Sequence, residues 1–71
     1  MNTFNFPTEL PERLLRAHEV AKILNVSRAW AYRLMQLGEI RTVMIRKTVR
    51  VRPQDLADYI KSCLTPPPPN S

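Results

Sequence analysis

Five basic residues and no acidic residue occur in the stretch "RTVMIRKTVRVRP", residues 41–53. Within it, valine and isoleucine side chains occupy odd-numbered positions, whereas the arginines from Arg46 onward occupy even-numbered positions. Guanidinium and ammonium groups are strong charged hydrogen-bond donors toward phosphate. The spacing therefore predicts a cationic ribbon that binds a polyanion, and it offers no pair of groups for bond-making chemistry.

The positive charge of the chain is concentrated in its middle third. Seven basic residues and one acidic residue lie between Arg28 and Arg52, a local charge of +6 in a chain whose net charge is +5. A basic surface of this kind favours nucleic acid first and an acidic membrane second. We expect no membrane partner, because no helical stretch combines a basic face with a large apolar one.

Residues for catalysis or metal binding are scarce. The single cysteine, Cys63, cannot form an internal disulfide, and with the single histidine, His18, it cannot make a structural zinc site. No glycine-rich phosphate loop or nucleophile–base pair is present. We therefore expect no enzyme activity, no cofactor and no small-molecule substrate, with Cys63 in the core and His18 on the surface.

Two helices in close succession must position the first basic residues. Apolar side chains recur at helical spacing up to Asn25, which can adopt the left-handed conformation that ends a helix. Ser27 is an N-cap candidate for a second helix, and Gly38, the only glycine, marks its end. This spacing suits a helix-turn-helix.

The alternating stretch predicts two short strands over 43–46 and 49–52, joined near Lys47-Thr48. We expect the valines and Ile45 to face the domain and the arginines to face outward. Pro53 suits the first position of a closing helix, and Arg52 is placed to pair with Asp55. The apolar face predicted for that helix consists of Leu56, Tyr59, Ile60 and Cys63 or Leu64.

The predicted fold is mainly α with a small β-hairpin, a winged helix-turn-helix. With 71 residues the chain forms one domain at most. We expect a mostly loose lead-in over 1–13, a domain over 14–64 and a disordered proline-rich tail over 65–71. Neither a signal peptide nor an apolar run of about 20 residues is seen, so the sequence favours a cytoplasmic protein.

Residues 14–60 resemble the helix-turn-helix domain of the excisionase family, within the MerR-like winged-helix group. The motifs that carry the resemblance are Leu14-Leu15, Glu19-Val20-Ala21, Asn25-Val26-Ser27-Arg28, Tyr32-Arg33-Leu34, Gly38-Glu39, Arg46-Lys47, Asp55-Leu56 and Tyr59. The resemblance implies DNA binding, with residues 27–33 in the recognition helix and 46–50 in the wing. The chain departs from the family pattern at Arg16, Asn25 and Ala29-Trp30.

Ten residues are candidates for contact with double-stranded DNA. They are Ser27, Arg28, Ala29, Trp30, Tyr32, Arg33, Arg46, Lys47, Thr48 and Arg50. Trp30 either packs in the core or contacts sugar or a thymine methyl, and Tyr32 either packs or donates its hydroxyl to a phosphate. Thr48 is a candidate phosphate donor at the hairpin tip.

By resemblance, the function is that of an excisionase, a recombination directionality factor that bends and organises DNA for an integrase. Several copies filling repeated sites cooperatively are expected on DNA. The alternative is a small transcriptional regulator of a phage or mobile element. An alternative of another class is a protein-interaction module that uses the proline tail or an apolar groove.

Overall fold

The computed structural model describes residues 13–67 of the chain. This part contains three helices, α1 (Ala17–Leu24), α2 (Arg28–Gln36) and α3 (Pro53–Ser62), and an antiparallel hairpin of β1 (Val43–Ile45) and β2 (Thr48–Arg50). The order of elements confirms the predicted winged helix-turn-helix. The expected lead-in, apart from Arg13, and residues 68–71 of the expected tail lie outside the described residues.

Local signals set the turn between α1 and α2, as the sequence predicts. Asn25 is left-handed (φ 60°) and ends α1. Ser27 caps α2, because its hydroxyl oxygen accepts the backbone N–H of Trp30 at 3.0 Å. Gly38 is also left-handed (φ 77°), and the next N–H, that of Glu39, donates to the carbonyl of Leu34 at 3.0 Å. These bonds close α2 with a Schellman motif.

A carboxylate supports the start of α1, where the side chain of the N-cap residue, Arg16, has no hydrogen-bond acceptor. Glu19 accepts the backbone N–H of Arg16 at 2.8 Å and forms an ion pair with Arg13. The hydrogen bond from the Arg13 guanidinium, followed by the one from the Arg16 backbone, lowers the pKa of Glu19 to about 2. Glu19 therefore supplies the glutamate half of a capping box, whereas the half that a Ser or Thr side chain supplies at the N-cap is missing.

The core lies where α1 and α2 meet the base of the hairpin. Val20 of α1, Ile40 after α2 and Val51 after β2 are fully buried. The remaining buried apolar residues are Ala17, Ala21, Ala31, Leu34, Met35 and Leu56. Leu15 ties the start of the described chain to this core, since its N–H and carbonyl bond to the carbonyl and N–H of Val51 at 2.8 and 2.9 Å.

The hairpin register differs from the prediction. The loop is Arg46-Lys47, one residue earlier than expected, and Val43 pairs with Arg50. Directly paired residues share a face, so a two-residue loop puts odd-numbered residues of β1 on the face of even-numbered residues of β2. Val43 and Ile45 therefore lie on the face opposite Val49, and the expectation of one common inward face was wrong.

The apolar face predicted for α3 is buried only in its first half. Leu56 is buried and Tyr59 half-buried, whereas Ile60, Cys63 and Leu64 are exposed. The prediction of a core position for Cys63 was wrong, because the second half of the helix runs past the elements that cover its start.

The predicted pair between Arg52 and Asp55 is confirmed at the start of α3. The Arg52 guanidinium donates from Nε and Nη2 to the two oxygens of Asp55 at 2.6 and 2.8 Å. Asp55 is the one charged residue that is buried among those described, and the hydrogen bond from Arg52 lowers its pKa. Arg52 is thus engaged in the fold, and it is not part of the candidate site.

Candidate nucleic-acid interface

A cationic cleft of about 420 Å³ lies between the start of α1, the first turns of α2 and the hairpin. It is lined by Arg16, Ala17, His18, Arg28, Tyr32, Lys47, Thr48, Val49 and Arg50. None of the described residues that line it is acidic. Four permanent cations line this one concave surface, an arrangement that suits the closely spaced negative charges of a phosphate backbone.

The cleft brings together five of the ten predicted site residues. Arg28 begins α2, and Tyr32 follows it four residues later, so both side chains lie on one face of the helix. The hairpin supplies Lys47, Thr48 and Arg50 from the opposite wall. The two segments that the sequence nominates separately, recognition helix and wing, therefore share one surface.

The other five predicted residues do not line the cleft. Ser27 and Ala29 are exposed at the start of α2, and the Ser27 hydroxyl is engaged in capping. Trp30 is 51% exposed, which excludes the core position that the sequence left open for it. Arg33 and Arg46 are exposed, one on α2 beyond the cleft and the other at the hairpin tip.

The hydrogen bonds of the hairpin refine two of the predicted roles. The Thr48 hydroxyl donates to the carbonyl of Ile45 at 2.7 Å and closes the turn, so its proton is not free for a phosphate. Arg50 is half-buried, and its Nη1 donates to the carbonyl of Val49 at 2.9 Å. That bond orients the Arg50 guanidinium along the strand and leaves its other N–H groups for the cleft.

Residues 13–67 were found to contain neither a membrane-spanning helix nor a cluster of metal-binding side chains. No helix in this range is long and apolar enough to cross a bilayer. No three histidine, cysteine, aspartate or glutamate side chains in the same range gather closely enough to hold a metal ion.

Comparison with known families agrees with this geometry. A family model described as a helix-turn-helix domain matches residues 14–64, which span all the helices and the hairpin. The chain belongs to this helix-turn-helix domain family. The family comprises excisionase-like domains that bind double-stranded DNA and are typically not enzymes. No curated protein and no solved structure matched the chain.

The helix-turn-helix domain also has two cleft residues that sequence reasoning missed. Arg16 and His18 stand at the start of α1 and line the cleft beside the hairpin. The available signal was Arg16 itself. A cation at the positive end of a helix, where a neutral or acidic cap is preferred, is locally unfavourable and suggests another use for the side chain.

Proposed function

We propose that this helix-turn-helix domain binds duplex DNA with α2 in the major groove and the hairpin on the flanking backbone or minor groove. The observation that carries the proposal is the cleft in which α2 and the hairpin present cations to one surface, with no acid among the described residues that line it. Side chains of both charges would keep the protein equally soluble. A cleft whose described lining residues include cations and no acid therefore favours a polyanionic ligand.

Each cation of α2 has a role that its place in the helix supports. Arg28 stands in the first turn, where residues of a recognition helix reach base edges, and it contacts a guanine edge or a phosphate. Arg33, further along α2, contacts a phosphate. Tyr32 is 50% exposed on the cleft wall and donates its hydroxyl to the backbone.

Trp30 and the hairpin complete the interface. The half-exposed indole of Trp30 packs on a deoxyribose or a thymine methyl. Arg46, Lys47 and Arg50 bind phosphates next to the groove that α2 occupies. Ser27 and Ala29 allow close approach at the start of the helix, where bulkier side chains would hold the backbone away from DNA.

In the cell, we infer an excisionase role, in which the protein organises DNA so that an integrase excises instead of integrating. Membership in an excisionase-like family supports this role. One module of this size buries about 600–1,000 Å² on DNA, which gives modest specificity. Several copies therefore act cooperatively on neighbouring sites in the bacterial nucleoid.

DNA binding is tested by fluorescence anisotropy with Arg28→Ala and Arg46→Ala. We expect each to weaken binding about five- to tenfold at 0.1 M salt, because each removes one counterion-releasing contact. Lys61→Ala is the matched control, since Lys61 lies in the last turn of α3 away from the cleft and its loss changes the net charge equally. Binding as tight as that of the parent would remove the mutated arginine from the interface.

The cellular role needs a second experiment. Integrase-dependent excision is measured on a plasmid substrate with and without the protein, alongside transcription from the promoter that its binding site overlaps. We expect excision to require the protein. Unchanged excision together with repression of the promoter would replace the excisionase role by that of a transcriptional regulator.

A further inference from the structure

Among the described residues that line the cationic cleft, His18 is the one whose charge changes between about pH 5 and pH 8. The arginines and the lysine of the cleft remain charged over that whole range. His18 is also the only histidine of the chain. It is exposed at the second position of α1, so its imidazole is open to a ligand that enters the cleft.

The charged groups that share the cleft with His18 are cations. They come from all three sides, with Arg16 before α1, Arg28 beside the Tyr32 hydroxyl on α2, and Lys47 and Arg50 on the hairpin. A protonated imidazole is therefore surrounded by like charge in the unbound protein. No acid among the described residues that line the cleft offsets this repulsion.

The acid that follows His18 in the chain is engaged elsewhere. Glu19 does not line the cleft, and its carboxylate forms an ion pair with Arg13 and accepts the backbone N–H of Arg16. The hydrogen bonds from Arg13 and from the Arg16 backbone dominate the lowered pKa of Glu19, and the charge of His18 contributes least to it. An anionic partner for a charged His18 must therefore come from a ligand.

A DNA phosphate in the cleft supplies that partner. An opposite charge within about 4–6 Å favours the charged form of a titratable group. The charged imidazole also has two N–H donors, whereas the neutral ring has one. Because the oxygens of a backbone phosphate only accept hydrogen bonds, they favour the form with more donors.

We propose, on the basis of the proposed function, that His18 takes up a proton when a DNA backbone phosphate occupies the cleft, and that the resulting imidazolium binds this phosphate. The complex then holds more protons than the free protein and free DNA together. By linkage, DNA affinity rises as the pH falls from about 8 to about 5 and decreases as the pH rises. The permanent cations of α2 and the hairpin bind at both ends of this range, so binding at high pH is weaker and is not lost.

The expected size of the effect is that of one phosphate contact. Adding one contact strengthens binding about five- to tenfold at 0.1 M salt. It also makes the slope of log affinity against log salt steeper by about 0.9, because one more counterion is released from the DNA. The proton is therefore visible both in the affinity and in its salt dependence.

Fluorescence anisotropy with duplex DNA measures both quantities at about pH 5 and about pH 8. We expect the parent to bind about five- to tenfold more tightly at the lower pH, with the steeper salt slope. His18→Gln should bind at both pH values as the parent does at the higher one. His18→Lys carries a permanent charge and should bind at both pH values as the parent does at the lower one. Recovery of tight binding by a different cation distinguishes a phosphate contact from a structural role of the imidazole.

The double variant His18→Gln, Thr65→His is the matched control, because it moves the single histidine to an exposed position after α3 that does not line the cleft. Its affinity should depend on pH no more than that of His18→Gln. A His18→Gln variant that keeps the pH dependence of the parent overturns the proposal. So does a parent whose salt slope is the same at both pH values, because the proton then adds no phosphate contact. Failure of the parent to bind the duplex at either pH overturns the proposed function itself, and the proton coupling with it.

Discussion

Arg46 holds the strained position of the hairpin, and replacing it with glycine should change stability and DNA binding in opposite directions. Arg46 has φ 57°, in the left-handed region, at the first position of the two-residue loop. Such loops need a positive φ there, and glycine or asparagine is the preferred residue. Arginine at this position indicates that the charge is retained at a cost in folding.

The gain in stability follows from the backbone alone. A non-glycine residue in the left-handed region costs about 1–2 kcal/mol, and glycine adds about 0.4–1 kcal/mol of unfolded-chain entropy. Arg46→Gly should therefore raise the free energy of unfolding by about 0.5–1 kcal/mol. For a domain of this size the melting temperature rises by about 4 °C.

The loss in binding follows from one phosphate contact. Each contact contributes about 0.9 to the slope of log affinity against log salt, so its removal weakens binding about five- to tenfold at 0.1 M salt. The slope itself becomes shallower by about one. One substitution thus yields a more stable protein that binds DNA less tightly.

Lys47→Gly is the matched control, because it removes the same charge from the neighbouring residue, whose φ is not positive. It should weaken DNA binding similarly while lowering stability by about 0.5–1 kcal/mol, since no strain is relieved. Thermal unfolding, monitored by circular dichroism, measures the change in stability. Fluorescence anisotropy with duplex DNA measures the change in affinity. A destabilised Arg46→Gly variant, or one that binds DNA like the parent, would refute the reasoning.

Three further predictions concern two carboxylates that stabilise the fold and one exposed side chain of α2. Asp55→Asn should lower the free energy of unfolding in urea by about 2 kcal/mol, because Asp55 is 4% exposed and loses its charged partner, Arg52. The same substitution at the exposed Asp58 should change the free energy of unfolding by less than about 0.5 kcal/mol. The folded pKa of Glu19 is about 2, below its ordinary value of about 4.3. The contribution of its carboxylate to the free energy of unfolding is therefore complete above about pH 5 and disappears as the pH falls toward 2. When the pH is lowered, the Glu19→Gln variant should therefore lose less of its free energy of unfolding than the parent. An identical dependence of stability on pH would exclude Glu19 as a cause of the acid sensitivity. Trp30→Ala should weaken DNA binding while changing stability by less than about 1 kcal/mol, and a large loss of stability would contradict its surface position.

The three helices, the end of α1 and both ends of α2 were predictable because each is set by local chemistry. Asn25 and Gly38 end helices through conformations that few residues tolerate, and Ser27 begins one through its own hydroxyl. These signals act within four residues, so they can be read without knowledge of the fold. The same holds for the pair between Arg52 and Asp55.

The hairpin register and the full cleft were not predictable in this way. Moving the loop by one position, from Lys47-Thr48 to Arg46-Lys47, changes every pairing, and no strong turn pair in the sequence fixes it. The prediction that the valines and Ile45 share one inward face was wrong for a further reason. Any two-residue loop places Val43 and Val49 on opposite faces of the hairpin. The contribution of Arg16 and His18 depends on how α1 packs beside the hairpin, which is tertiary information.

The salt dependence of duplex binding tests the central claim most directly. Six cations belong to the proposed interface or its cleft, namely Arg16, Arg28, Arg33, Arg46, Lys47 and Arg50. If each displaces one counterion, log affinity plotted against log salt has a slope of about −5. A slope near zero, or no binding to duplex DNA at about 50 mM salt, would contradict the claim that α2 and the hairpin present one cationic surface to DNA.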